Sequence, residues 1–160
     1  MKLIEAFQGK SKPTMYLASP LFNSAEKHFN TILAELLAPY CTVYLPQRDG
    51  GLMADFVSQG IAPSIAAEKV FEADVKAMGS CDFLLAVLDG RTVDEGVAFE
   101  IGYVFSIGKR CYGLQTDVKR ALPTGNNPMI ERSLTHIFEK LPDLVDWARR
   151  ALPLEVVTFS

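Results

Sequence analysis

The chain has 160 residues, of which 49% are hydrophobic and 22% charged, with a formal net charge of −3. That is the balance of an ordinary globular domain with enough chain to bury a core. The acidic balance and the lack of any basic run argue against nucleic acid as a partner, and the apolar runs are too short for a membrane span or a signal-peptide core. Cys41, Cys81 and Cys111 are odd in number and far apart, and each adjoins an expected strand, so they read as buried free thiols of a cytoplasmic protein. His28 and His136 stand alone and no metal-ligand spacing occurs, so neither a zinc site nor a histidine-based triad is expected.

Strand and helix signals alternate from Thr14 onward. They predict one domain over residues 1–160, with an N-terminal extension (1–13) and a C-terminal tail (153–160). Met15 to Ala18 forms a first strand, stopped by Ser19-Pro20. Asn23 or Ser24 opens a helix to about Leu37, with Phe29, Ile32, Leu33 and Leu36 on its apolar face. Thr42 to Leu45 is a second strand, followed by the polar turn Gln47-Arg-Asp-Gly-Gly51. Pro63 starts a helix whose inward set is Ile65, Val70, Val75 and Met78. Phe83 to Leu88 is apolar throughout, as a central parallel strand buried on both faces must be.

Beyond it, Asp94 is an N-cap for a helix carrying Val97, Ile101 and Val104 at helical spacing and ending near Gly108. Arg110 to Gln115 is a fourth strand, and the loop Thr116 to Asn127 leads to a short helix from Pro128. Thr135 to Phe138 is a fifth strand, and Pro142 to Leu152 a last helix with Leu144, Val145 and Ala148 inward. The fold expected is a doubly wound α/β domain of the flavodoxin or Rossmann kind, with a mainly parallel five-stranded sheet flanked by helices. The apolar tail from Leu154 is expected to pack on its own subunit or on a neighbour.

In such a sheet, ligands bind outside the carboxyl ends of the strands. Tyr16 to Phe22, Gln47 to Gly51, Asp89 to Glu100 and the loop after Gln115 converge there. Helical side chains lean toward the N-terminus, so Glu100 should lie over Gly96, where the missing side chain leaves room for a substrate. Clustered carboxylates without histidine or metal suit glycosyl transfer, in which one ionised carboxylate attacks the anomeric carbon and a second carboxyl protonates the leaving group. Glu100 is the expected nucleophile, its ionised form favoured by the helix dipole. Asp94 is placed to hold or protonate the leaving group. Tyr16 reads equally as an orienting donor to Glu100 and as a half-buried strand aromatic. Asp74 reads, on its residues alone, more readily as a surface partner of Lys69 or Lys76.

The ordered set Met15-Tyr-Leu-Ala-Ser-Pro-Leu-Phe22, Phe71-Glu-Ala-Asp74, Cys81-Asp82, Asp89-Gly90 and Asp94-Glu-Gly-Val-Ala-Phe-Glu-Ile-Gly102 resembles the nucleoside 2-deoxyribosyltransferase family, over about Thr14 to Met129. The resemblance implies transfer of deoxyribose between nucleobases through an ester on a glutamate, without a cofactor. It implies Glu100 as that nucleophile, Asp94 and Asp74 as the aspartates that contact and protonate the departing base, and Tyr16 as the residue that orients the nucleophile. Asn127-Pro-Met129 is similar to a family segment that reaches a neighbouring subunit's site, its asparagine gripping the sugar 5′-hydroxyl, which implies a homo-oligomer. Phe22, Gln47 and Asp49 are the candidate base-pocket residues. Relatives acting on 5′-monophosphates carry an arginine- and glycine-bearing turn after the first strand. Here that turn is Ser19-Pro-Leu-Phe-Asn-Ser24, which favours an unphosphorylated nucleoside. A hydrolase using the same glutamate is the alternative, and a non-catalytic nucleoside-binding module a third reading.

Overall fold

The computed structural model describes residues 12–117 and 125–152. The extension through residue 11, the middle of the 116–127 loop and the tail 153–160, with its expected packing, lie outside the described residues. The elements follow one another as β1 (Thr14–Ala18), α1 (Ser24–Leu37), β2 (Thr42–Tyr44), a π-helical turn (Pro46–Gly50), α2 (Met53–Ser58), α3 (Pro63–Ser80), β3 (Phe83–Val87), α4 (Glu95–Ser106), β4 (Arg110–Leu114), α5 (Pro128–Ser133), β5 (His136–Phe138) and α6 (Leu141–Ala151). The five strands pair in the order β2-β1-β3-β4-β5, every pair parallel. The fold is the expected doubly wound α/β sheet. Its winding direction reverses between β1 and β3, and a crevice opens at the carboxyl ends of those strands.

Strand alternation divides the core in two. Met15 and Leu17 of β1 join Phe83, Leu85 and Val87 of β3 on the face covered by α1 and α6. Tyr16 and Ala18 join Leu84 and Ala86 on the opposite face, under α3 and α4. Side chains two apart share a face, so a central strand covered on both sides must be apolar at every position. The motif residues Asp82 and Asp89 serve as ties at the strand ends. Asp82 accepts the Thr14 amide at 2.9 Å, and Asp89 accepts the Thr116 amide and hydroxyl at 2.5 and 2.6 Å. The three cysteines are buried free thiols.

Three expectations about helix faces are corrected. In α1 the buried line is Asn30, Leu33, Ala34 and Leu37, while Ile32 and Leu36 are exposed. The helix is rotated because Asn30, a polar residue invisible to apolar periodicity, is buried to bond Ser19, Pro20 and Gln47. In α3, Ile65 is exposed, and the buried residues are Ala66 and Met78. Val70 faces a cavity instead of the sheet. In α6, Val145 is only half-buried and Trp147 takes the inward place, against Phe83, Tyr112 and Phe138. The short helix α2 is an addition, since six residues give too few turns for a periodic signal.

Candidate active site

A cavity of about 400 Å³ opens at the switch point. Asp74 from α3 and Asp94, Gly96 and Glu100 from the start of α4 line it, with Phe22, Leu52, Met53 and Val70 supplying apolar surface. A second lobe of about 380 Å³ shares Asp74, Gly96 and Glu100 and extends to Phe71 and Phe99.

Glu100 lies in the second turn of α4, and its Oε1 accepts a hydrogen bond of 2.6 Å from the Tyr16 hydroxyl. Tyr16 is fully buried in β1. Burial pushes the Glu100 carboxyl up to about 8; the Tyr16 bond pulls the other way, and the nearby Asp74 and Asp94 charges add to the rise. The helix dipole expected to favour the ionised form of Glu100 is therefore outweighed by burial. A dipole contributes about 0.3–1 kcal/mol and fades after the first turn, whereas desolvating a carboxylate costs several kcal/mol. Burial also raises Tyr16, with Glu100 adding to it, so the phenol stays a donor.

Asp94 is the N-cap of α4, its Oδ1 accepting from the Gly96 and Val97 amides at 2.9 and 3.1 Å. A Cβ placed on Gly96 would meet only that oxygen, at 3.1 Å. Gly96 and Glu100 both line the cavity. Asp74 is half-buried and bonds the Tyr44 hydroxyl at 3.3 Å through Oδ1. The lysine pairing that its residues alone favoured is not the contact it makes. Burial raises the Asp74 carboxyl, and the Tyr44 bond opposes that rise.

Of the base-pocket candidates, Phe22 lines the cavity, 77% exposed. Gln47 and Asp49 do not line it. The Gln47 amide accepts from Asn30 at 3.0 Å and donates to the Lys27 carbonyl at 2.9 Å, fastening the π-helical turn to α1. Asp49 accepts from the Leu45 amide at 2.8 Å and pairs with Arg48 at 2.7 Å, and the guanidinium holds its carboxyl below the usual range. Asn127 caps α5 through the Met129 amide at 2.9 Å, and Met129 is 78% exposed; neither lines the cavity of its own chain. Sequence reasoning missed Lys27, which lines the cavity from α1, and Tyr44. A lone helix lysine and a strand tyrosine carry no local signal. Among the described residues no group of His, Cys, Asp and Glu suits a metal ion, and no helix is long and apolar enough to cross a membrane.

A doubly wound parallel sheet with carboxyl groups gathered at its switch point defines an α/β protein with a candidate small-molecule site there. The family model described as nucleoside 2-deoxyribosyltransferase matches residues 15–143, and the chain belongs to that family. Among solved structures, it is similar to a conserved protein from Enterococcus faecalis V583, 24% identical with a TM-score of 0.72, over 89% of this chain and 100% of that one. It is also similar to a 2-deoxyribosyltransferase from Bacillus psychrosaccharolyticus, 23% identical with a TM-score of 0.69, over 89% and 99%. A CMP N-glycosidase from Clostridium botulinum is more distant, 17% identical with a TM-score of 0.55, over 83% and 96%. No curated protein sequence matches the chain.

Proposed function

We propose that the protein transfers 2-deoxyribose between nucleobases, with Glu100 as the nucleophile. The observation that carries this reading is the Tyr16–Glu100 pair at 2.6 Å, with Glu100 set in a cavity that Gly96 and Asp74 also line. An ionised Glu100 oxygen bonds to the anomeric carbon as the glycosidic C–N bond breaks. The electron pair of that bond goes to the base nitrogen, which takes its proton from Asp74. In the second half, a new base attacks the same carbon, the ester opens to release Glu100, and the proton of the incoming base returns to Asp74. Deoxyribose lacks the electron-withdrawing 2′-hydroxyl, so its oxocarbenium-like transition state is reached more easily over a carboxylate.

The roles of the two aspartates divide along their contacts. Asp94 spends Oδ1 on two backbone amides and serves as an acceptor, whereas Asp74, half-buried and with its carboxyl raised by that burial, is suited to keep a proton. The substrates on this reading are unphosphorylated 2′-deoxynucleosides and free bases. The Phe22 and Asn23 amides are already taken by the Glu26 carboxylate at 2.8 and 3.2 Å, and the Arg48 guanidinium by Asp49 and the Val43 carbonyl. Lys27, lining the cavity, is the observation that favours the second reading, an N-glycosidase acting on a 5′-monophosphate. The exposed Asn127–Met129 segment supports a homo-oligomer in which each chain completes a neighbour's site. A cytoplasmic location fits the three free thiols.

Chromatography of the protein incubated with 2′-deoxyinosine or thymidine, with and without adenine, tests this reading. Formation of 2′-deoxyadenosine is expected. Free base released at the same rate without an acceptor would make the protein a hydrolase, and no turnover of any deoxynucleoside or monophosphate would leave a binding module.

A further inference from the structure

Two phenol–carboxyl pairs lie side by side in the cavity wall. Tyr16 and Tyr44 are register partners on adjacent strands, and their rings stack with centroids 5.4 Å apart and planes 16° from parallel. One hydroxyl goes to Glu100 at 2.6 Å and the other to Asp74 at 3.3 Å. The sheet thus carries both donors on one rigid stack, aimed at the two carboxyls that the proposed reaction uses.

We propose that Tyr44 is the positioning residue of the proton donor: its hydroxyl fixes one oxygen of Asp74, so that the other presents its proton to the departing base. This rests on the transferase reading and deepens it. Oδ1 of Asp74 takes the Tyr44 bond, and Oδ2 has no protein partner among the described residues. A carboxylic acid anchored at one oxygen has its proton directed to the other, and Asp74 lines the cavity. Tyr44 itself gives up no proton, because burial and the Asp74 and Asp49 charges hold its phenol above the usual range. At 3.3 Å the bond is long, as such contacts are before substrate closes the site.

A second residue protects the pair. A Cβ on Gly50 would lie 2.7 Å from Asp74 Oδ1 and 2.8 Å from the Tyr44 hydroxyl, closer than real contacts allow. The φ of Gly50 is not positive, so this glycine is kept for space and not for backbone conformation. The π-helical turn thereby brings its main chain close to the bond.

The test compares wild type, Tyr44→Phe and Gly50→Ala on two substrates in single-turnover and steady-state assays. One is 2′-deoxyinosine, whose base must be protonated to leave. The other is 7-methyl-2′-deoxyguanosine, whose cationic base departs neutral without a proton. With deoxyinosine, Tyr44→Phe is expected to lower kcat by about ten- to hundredfold while KM stays within about twofold. With the methylated substrate the variant should run within about twofold of wild type, and Gly50→Ala should show the same selectivity. Equal losses on both substrates, or an unchanged kcat on deoxyinosine, would overturn the role assigned to Tyr44. A wild-type protein inert on both substrates would defeat the transferase reading, and this inference would fall with it.

Discussion

With its carboxyl pushed up to about 8 by burial, Glu100 is largely neutral at pH 7, yet the nucleophile's role proposed for it requires the ionised form. Two consequences follow at this residue. For a substrate whose base leaves without a proton from Asp74, the kcat/KM of the free enzyme should rise with pH through about 8 and level off above it, a limb read from initial rates between pH 5.5 and 9. Stability should move the opposite way. The folded carboxyl holds its proton to higher pH than the unfolded one, so the stabilisation is complete below about 4.5 and is lost as pH rises through about 8. The loss is on the order of a few kcal/mol. Glu100→Gln, neutral at every pH, should flatten the decline in urea midpoints between pH 5.5 and 8.5 and lower transfer by about a thousandfold or more. Comparable declines in both proteins would show that Glu100 is not the group responsible.

At the scale of elements, α4 is where sequence and structure agree most closely. Asp94, Gly96 and Glu100 lie within one loop–helix junction, so their spacing alone brings them together. Tyr16 and Asp74 were ambiguous from their own residues and were marked only by resemblance. Tyr16 is 84 residues from Glu100, and Asp74 makes its contact with a tyrosine 30 residues away. The importance of Tyr44 depends on strand register, which a single sequence does not display. The same limit explains the helix faces: Asn30 is buried for its hydrogen bonds, and hydrophobic spacing alone turns α1 toward Ile32 and Leu36.

The Asp94 cap also separates structure from chemistry. Asp94→Ala should destabilise the protein by about 1 kcal/mol through loss of both amide bonds, whereas Asp94→Asn keeps an N-cap acceptor and most of that stability. If Asp94 also contacts the base, Asp94→Asn should still reduce transfer. Thermal melts and transfer assays on the two variants check both halves.

The order of strands and helices was legible because apolar runs and breakers alternate along the chain, and the all-parallel pairing completes that plan. The surface carries a different message. Phe71 and Phe99 are 58% and 52% exposed and lie 6.3 Å apart beside the second lobe of the cavity. These rings and the exposed Met129 are the apolar surface on which the proposed assembly would rest. Specific activity should therefore fall on dilution as oligomers separate, measured alongside molar mass by light scattering; full activity in a proven monomer would refute shared sites.

The parallel sheet has a further consequence for how the chain comes into being. The strands β1 and β3 become neighbours only after the intervening α1, β2, α2 and α3 have been made, and such distant pairings form slowly. During synthesis Tyr16, Tyr44 and Asp74 all leave the ribosome before Glu100 does. The proposed nucleophile thus follows its partner residues and the first three strands, with β4 and β5 still to come. A chain that ends before residue 100 therefore lacks the proposed nucleophile altogether.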